Sequence, residues 1–584
     1  METLNEALKR AADFPDCGLR ILDRRLRETW LGWPEVYRRA SRVAGGLRAE
    51  GVDREQTVGL FYPTGEEFFA AFFGILLAGA VPVPLYPPVR LGRLAEYQRR
   101  TARMLRATGI ELALTDRTLR RILGEPLHRA GCRGKTLREL PQVEGVSAAA
   151  NPESLALVQF SSGTTVEPKP VALTHRALMA QTTILNSFWP DSVDQRHSGV
   201  SWLPLYHDMG LIGCVFTVLE RPSVLTLIPP EVFVARPATW LQTLSKYRAT
   251  ISPAPNFAFG LCTEKIRDEE LEGVDLSSWR VALCGAETVV PAVLRRFSDR
   301  FGRWGFRPEA LTPVYGLSEA ALAVTFSAID KPFSSRQLMH SDAGVSDEYE
   351  DNETPHSVVS RELVSVGRPL PQFDVEVRSE QGEVLAEGLI GRVWVRGPSL
   401  MQGYLNHQEA TAESLREGWL DTGDLGFLHG SELYIAGRAK DILIVRGSNR
   451  APEEIEAVVS ELEGVRTGCV AAVSHLPPEA EREQVWLFVE RNGRDTQDEE
   501  SLAERCRHQV LGSTGIAIDR IEVLEPGTLL RTSSGKIRRR ESLERFLRGE
   551  LRPPESVTAG RMLQAMGRSA LARARQRRAR DVDR

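Results

Sequence analysis

In the stretch SSGTTVEPKP, residues 161 to 170, the hydroxyls of Ser161, Ser162, Thr164 and Thr165 flank Gly163, and Lys169 comes after them. Hydroxyls and backbone N–H groups at a turn can enclose phosphate oxygens, and a lysine adds a point charge. The same residues also make an ordinary polar turn, so the loop gains meaning only from its downstream company. No GxxxxGK[ST] occurs, which disfavours a Walker-type NTPase. Further along, LYHDMGL carries His207, GAE is Gly285, Ala286 and Glu287, and YGLSE is Tyr315, Gly316, Leu317, Ser318 and Glu319. DTGD ends on Asp424, GRAKD brings Arg438 and Lys440, and SSGKIRR brings Lys536. Each has a plain alternative: a core aromatic for Tyr315, a turn former for Asp424, a helix cap for His207 and Asp208, a surface side chain for Lys536.

The order of these stretches is more specific than any one of them. SSGTTVEPKP is succeeded by SWLPLYHDMGLIG (201–213), PAPNFAFGLC (253–262), ALCGAET (282–288), VYGLSEA (314–320), GWLDTGDLGFL (418–428), GRAKDILIVRG (437–447) and RTSSGKIRRR (531–540). The succession resembles the adenylate-forming superfamily of acyl-CoA synthetases, peptide-synthetase adenylation domains and luciferases, from about residue 30 to 545. SWLPLYHDMGLIG, PAPNFAF, LVSVGRPLP and an extra segment at 327–363 are most similar to fatty acyl-AMP ligases.

The resemblance implies an activity and a set of roles. A fatty acid of medium or long chain would react with ATP to give acyl-adenylate and pyrophosphate, and the acyl group would pass to the phosphopantetheine thiol of an acyl carrier protein. The loop Ser161 to Lys169 resembles the pyrophosphate clamp, and Glu319 matches the Mg2+ ligand, a hard oxygen donor suited to that ion. Tyr315 with Gly285, Ala286 and Glu287 resembles the adenine slot, and Gly316, Leu317 and Ser318 continue it. Asp424 matches the acid that accepts from both ribose hydroxyls, with Arg438 as a fixed positive fork beside it. Lys536 resembles the mobile lysine between acyl carboxylate and α-phosphate, His207 a residue beside that carboxylate, and Lys440 the hinge. Met209, Ile212, Asn256, Phe257 and Phe259 are the acyl-pocket candidates; ordinary core packing is their alternative. An apolar tunnel would favour long chains by ~0.8 kcal/mol per buried CH2.

The pattern is not matched everywhere. Val166 and Pro170 stand where the family usually has glycine, which predicts a stiffer clamp, and Arg450-Ala451 replaces an aromatic-containing step. Two rivals therefore stand beside the ligase: a long-chain acyl-CoA synthetase with coenzyme A as acceptor, and an inactive scaffold that binds nucleotide or acyl chains. Retention of Glu319, Asp424, Arg438 and Lys536 favours an active enzyme.

Positioning these residues needs several compact units. A chain of 584 residues has room for about four. Up to about residue 326, short apolar runs (TVGLFY, AVPVPLY, IELALT, then LALVQF, SVLTLI, ATISPAP, RVALCGAE) alternate with helical stretches, as in two parallel-sheet α/β layers. From about Gly367, QFDVEVR, GRVWVRG and ELYIAG alternate between Gly turns, as in a small antiparallel barrel-like unit. The expected fold is thus multidomain α/β: residues 1–436 form a large adenylation domain of two α/β subdomains plus the barrel-like one. Residues 437–550 form a small mobile α+β lid, and 551–584 a basic tail, solvated or frayed.

Composition narrows the partners. The net charge of −4 gives no global attraction to nucleic acid or anionic lipid. Seven cysteines without a CxxC pair speak against a disulfide framework or zinc cluster, and with no signal-like N-terminus the expectation is a cytoplasmic protein. The apolar run from Phe68 to Pro88 is broken by Gly74, Gly79, Pro82 and Pro84, so a buried helix, turn and strand are expected rather than a membrane span. The acidic stretch within 327–363 reads as a surface loop.

Overall fold

The computed structural model describes the chain except for residues 1, 89–92, 144, 146, 162–168, 190–196, 340–359, 446–447, 478–481, 493–497, 533–534, 555–565 and 573–584. Ser162, Gly163, Thr164, Thr165, Val166, most of the acidic stretch and the terminal arginine run lie outside the described residues.

A nine-stranded sheet organises the molecule. Its order is Arg368–Pro369, Ala323–Phe326, Leu311–Gly316, Val281–Gly285, Ile251–Pro255, Ser198–Ser201, Val224–Leu227, Gly18–Leu22, Glu28–Gly32. The six inner strands from Leu311–Gly316 to Gly18–Leu22 run parallel, and the edges are antiparallel. Such a sheet is apolar on both faces: Val281–Gly285 is buried throughout, which explains a run without alternation. A second, four-stranded parallel sheet, Val81–Pro84, Thr57–Phe61, Leu112–Thr115, Arg133–Lys135, forms the other α/β layer.

The first two strands take distant partners, and one strand expected in a parallel layer pairs elsewhere. Gly18–Leu22 and Glu28–Gly32, the first two strands in sequence, join the nine-stranded sheet rather than the nearby four-stranded one. Leu155–Phe160 belongs to neither parallel layer: it pairs antiparallel with Pro170–Thr174, which pairs in turn with Gly403–Tyr404. The hydroxyl loop therefore spans a hairpin, with Phe160 opposite Pro170, and the helix His175–Phe188 begins only after the return strand. Pro170 is tolerated because its carbonyl, not its missing N–H, serves the sheet, accepting from Leu405 N at 2.8 Å.

The broken apolar run forms the helix Glu66–Leu77 and the strand Val81–Pro84, both interior, and no helix among the described residues is long and apolar enough to cross a membrane. All seven cysteines are buried. An antiparallel sheet of Asp374–Arg378, Gly391–Arg396, Trp419–His429, Leu415–Arg416 and Glu432–Arg438 forms the expected small β unit. The extra segment is not loop throughout: Ser335–Met339 and Ser360–Val364 pair antiparallel, and Arg295 of the helix Pro291–Phe301 holds Glu362 at 2.9 Å.

From Leu443 onward the chain builds two apolar clusters of its own around the strands Val465–His475, Gln484–Arg491 and Arg520–Leu524 and the helices Pro452–Ser460, Glu499–Thr514 and Arg539–Leu547. Within the tail, residues 566–572 depart from the expectation of a solvated end. Residues 566–572 are helical, with Ser569 and Ala572 buried and the Ser569 hydroxyl donating to the Ile122 carbonyl at 2.9 Å. The match is tight because Gly124 lacks a side chain: a Cβ there would stand 2.4 Å from the Ser569 carbonyl oxygen.

His175, at the start of its helix, gives the fold a pH signature. Its Nδ1 accepts from Leu4 N at 3.2 Å, and burial pushes its pKa from 6.5 down to about 4. The unfolded chain therefore binds a proton that the folded chain refuses between those values. Stability is fully present above pH 6.5 and falls as pH drops toward 4, by about 2 to 3 kcal/mol at pH 4.5 from this group. Urea denaturation of wild type and His175→Gln at pH 7 and 4.5 checks this, the variant showing the shallower loss.

Candidate active site

The candidate residues gather beyond the C-terminal ends of the parallel strands, where open α/β sheets leave a crevice. Val281–Gly285 delivers Gly285, Ala286 and Glu287, and Leu311–Gly316 delivers Tyr315 and Gly316, then Leu317, Ser318 and Glu319. Gly316 admits no side chain, since a Cβ would lie 1.8 Å from the Leu322 carbonyl oxygen, the acceptor of Leu317 N. Ala286 adopts φ 66°, a left-handed backbone that costs a residue with a Cβ about 1–2 kcal/mol. The turn brings the Glu287 carboxylate to accept from Phe257 N at 2.6 Å, and burial raises its pKa.

Asp424 and Arg438 are directly opposed on antiparallel strands, which sets their ion pair at 2.9 Å. The other Asp424 oxygen accepts from the Tyr315 hydroxyl at 2.7 Å. Each carboxylate oxygen keeps a further lone pair, so Asp424 remains an acceptor for a ligand hydroxyl. Burial and Asp424 together push the Tyr315 phenol well above its ordinary range, so it stays a donor.

The most distant residue in sequence completes the group. Lys536 sits in a tight hairpin: Thr532 N donates to the Lys536 carbonyl at 2.8 Å and Lys536 N to the Thr532 hydroxyl at 3.0 Å. Its side chain lies within electrostatic range of the charged groups of the crevice. Burial and the charge of Arg438 lower its pKa, while Asp208, Glu287 and Asp424 counter them. His207 feels Lys536 in turn, and burial pushes it down to about 4, so the imidazole is neutral at neutral pH. Its Nε2 is buried without a partner among the described residues. Asp208 accepts from the Ser318 hydroxyl and from Met209 N at 2.7 Å.

Glu319 accepts at one oxygen from the Tyr404 hydroxyl at 2.9 Å, and Lys169 lies 4.5 Å from the centroid of the Tyr404 ring. One tyrosine thus links the expected metal ligand to the lysine of the hydroxyl loop. Ser161, at the near end of that loop, is tied to Lys169 by its N–H donating to the Lys169 carbonyl at 2.9 Å. Tyr404 and Asp208 were not singled out from sequence. Tyr404 sits in MQGYLN and meets Glu319 only through tertiary folding, whereas Asp208, adjacent to His207, was legible at most as half of a helix cap.

The acyl-pocket candidates divide. Phe257 is partly exposed with its ring 6.0 Å from Trp202, and Met209 is half-buried at the start of a helix that continues as a π-helical turn, Leu211–Phe216. Such turns are frequent at functional sites. Ile212 is buried in that turn, and Asn256 fixes the neighbouring loop by accepting from Val290 N at 3.1 Å. Phe259 is corrected to the core: it is fully buried against Trp240 at 5.7 Å and Phe297 at 5.0 Å. Two residues along a helix turn the side chain by about 200°, which separates it from Phe257. Lys440 is exposed in the turn after Arg438, where Asp441 N donates to the Arg438 carbonyl at 3.0 Å.

Residues 9–405 match the family model described as AMP-binding enzyme. The chain is 32% identical over 539 residues to the medium-chain-fatty-acid–[acyl-carrier-protein] ligase JamA of Moorena producens, covering 89% of this chain and 90% of that one. It is 31% identical over 553 residues to a 4-hydroxyphenylalkanoate adenylyltransferase of Mycobacterium bovis, covering 89% and 86%. Among solved structures, one from a study of fatty acyl-adenylate ligases of E. coli and L. pneumophila superposes with a TM-score of 0.85 at 30% identity, over 94% of this chain and 98% of that one. Strand-end loops that assemble an acid, a fork and a distant lysine, on a fold shared at this identity, identify the chain as an ATP-dependent acid–AMP ligase of the AMP-binding enzyme family, in its fatty acyl-AMP and acyl-CoA ligase group.

Proposed function

We propose that the protein adenylates a medium- or long-chain fatty acid with ATP and Mg2+ and hands the acyl group to the phosphopantetheine thiol of an acyl carrier protein. The observation that carries this reading is that Lys536, from the far end of the chain, lies within electrostatic range of Asp208, Glu287, Asp424 and Arg438. A carboxylate attacking an α-phosphate brings two anions together, and an ammonium at their meeting point stabilises the transition state more than the separated reactants. Asp424 binds the ribose hydroxyls with Arg438 fixed behind it, Tyr315 with Gly285 and Ala286 lines the base, and Lys169 with the hydroxyl loop takes the pyrophosphate. His207, neutral, meets the acyl carboxylate without adding a charge of its own. Residues 437–550 act as a lid that turns about Lys440 to clear the site for the thiol.

The donor set suits magnesium. Among the described residues no three His, Cys, Asp or Glu side chains cluster as a metal cage, and Glu319 offers a carboxylate whose second oxygen is not engaged by Tyr404. One carboxylate plus substrate phosphate oxygens is the usual arrangement for this ion. Bound there, Mg2+ would neutralise charge on the departing pyrophosphate.

The test supplies purified protein with fatty acid, ATP and Mg2+, follows fatty-acid-dependent exchange of labelled pyrophosphate into ATP, then adds either carrier protein or coenzyme A. Acyl-carrier formation with little acyl-CoA is expected. Rapid acyl-CoA release would instead establish an acyl-CoA synthetase, no exchange would leave a scaffold, and preference for a 4-hydroxyphenylalkanoate in the acid panel would overturn the fatty-acid assignment.

A further inference from the structure

We infer that Glu96, Arg93 and Arg545 form a latch that positions Lys536 in the site and so sets how the enzyme divides its time between its two half-reactions. The inference rests on the lid reading above. Arg545, on the helix Arg539–Leu547, grips Glu96, on the helix Leu94–Ala107, through two parallel bonds of 3.0 and 2.7 Å. Planar forks of this kind are specific in geometry as well as strong. Both side chains are mostly removed from solvent, at 22% and 25% exposure. One turn earlier, Arg93 donates to three backbone carbonyls across the same boundary: Gly527 at 3.1 Å, Thr528 at 2.8 Å and Arg552 at 3.3 Å.

The latch is connected to the lysine through side chains. Arg545 also holds Glu541 at 2.7 Å, and the other Glu541 oxygen holds the buried Arg538 at 2.7 Å. Arg538 is two residues from Lys536, and its N–H closes the same hairpin on the Leu530 carbonyl at 2.8 Å. A continuous series of charged contacts therefore runs from the large unit, through Glu96, Arg545, Glu541 and Arg538, to the loop that carries Lys536. By contrast Arg296 and Glu461, another pair between the large unit and the lid at 3.2 Å, are both more than half exposed and contribute little. Contacts that hold Lys536 in must break before the lid can turn, so they favour the first half-reaction at the expense of the second.

Glu96→Gln keeps the volume and leaves Arg545 its bond to Glu541. The expected result is an adenylation rate about tenfold lower, with the KM for ATP unchanged, and an acyl-transfer rate from preformed acyl-adenylate that rises. In a Lys536→Ala background the same change costs adenylation nothing further, because the latch acts through that lysine. Glu96→Asp, which retains the charge, recovers part of the loss. Hydrogen exchange, which needs no substrate, should show faster exchange in segments 525–532 and 541–552 of Glu96→Gln and Arg93→Gln. Loss of both half-reactions by the same factor, an undiminished penalty without Lys536, or unaltered exchange would overturn the latch. Failure of the wild-type protein to form acyl-adenylate would instead overturn the ligase reading, with the exchange experiment still deciding the latch.

Discussion

Lys536→Ala is expected to slow adenylate formation by about 10² to 10³, the range seen when one preorganised donor to a developing anion is removed, while the KM for ATP moves less than about threefold. The site makes this the most sensitive substitution. Arg438 is already committed to Asp424 at 2.9 Å, so the neighbouring cation cannot simply take over the charge meant for the α-phosphate. Lys536 also sets an alkaline limit. Burial and Arg438 hold its pKa below the ordinary lysine value, so the protonated, active form is lost as pH rises through that lowered value. Pyrophosphate exchange across alkaline pH should show the limb in the wild type and not in Lys536→Ala. A variant with normal kcat and a greatly raised KM for ATP would mean that Lys536 only binds nucleotide.

Asp424→Ala should act on both affinity and stability. Asp424 is buried and accepts from Tyr315 and Arg438, so its removal leaves a phenol and a guanidinium without their acceptor and two cations, Arg438 and Lys536, facing each other. Arg438 is 42% exposed along its side chain, and water softens the penalty, leaving about 2 kcal/mol of lost stability. Loss of the ribose acceptor adds about a hundredfold to the KM for ATP, near 2.7 kcal/mol. Asp424→Asn keeps an acceptor for Tyr315 and should lose affinity with a smaller fall in unfolding temperature. Equal KM values for wild type and Asp424→Ala would remove Asp424 from the nucleotide site.

The residues read most directly from sequence are those on short loops that end a strand. Gly285 and Tyr315 were singled out by the resemblance that GAE and YGLSE carry, and their place follows from neighbouring parallel strands that stop on the same side of the sheet. Asp424 and Arg438 are 14 residues apart on strands joined by the turn at Gly430, and the antiparallel register sets them face to face. Pairing between remote segments was not legible. The run SVLTLI reads as a strand, but nothing in it points to its partner Gly18–Leu22, some 200 residues earlier. Tyr404 was missed for the same reason, since its use comes from Glu319 and Lys169, each brought beside it by the fold. Phe259 was misjudged because PNFAF shows two aromatic side chains without showing which way the helix faces them, and the docking of Ser569 was not legible because nothing in MGRSALA hints that Gly124 has left a place for it.

The docking of residues 566–572 on the large unit bears on how far the lid can travel. On the proposal that residues 437–550 turn about Lys440, the polypeptide would leave the large unit there and come back to it at Ser569, so the lid would be held at both ends. Only the 13 residues from 553 to 565 separate its last contact with Arg93 from the returning helix, a reach of at most about 45 Å when fully drawn out. On that proposal the tail would be a leash: while Ser569 stays seated, its length, rather than the freedom of the pivot, would define the outer boundary of the arc along which Lys536 can withdraw.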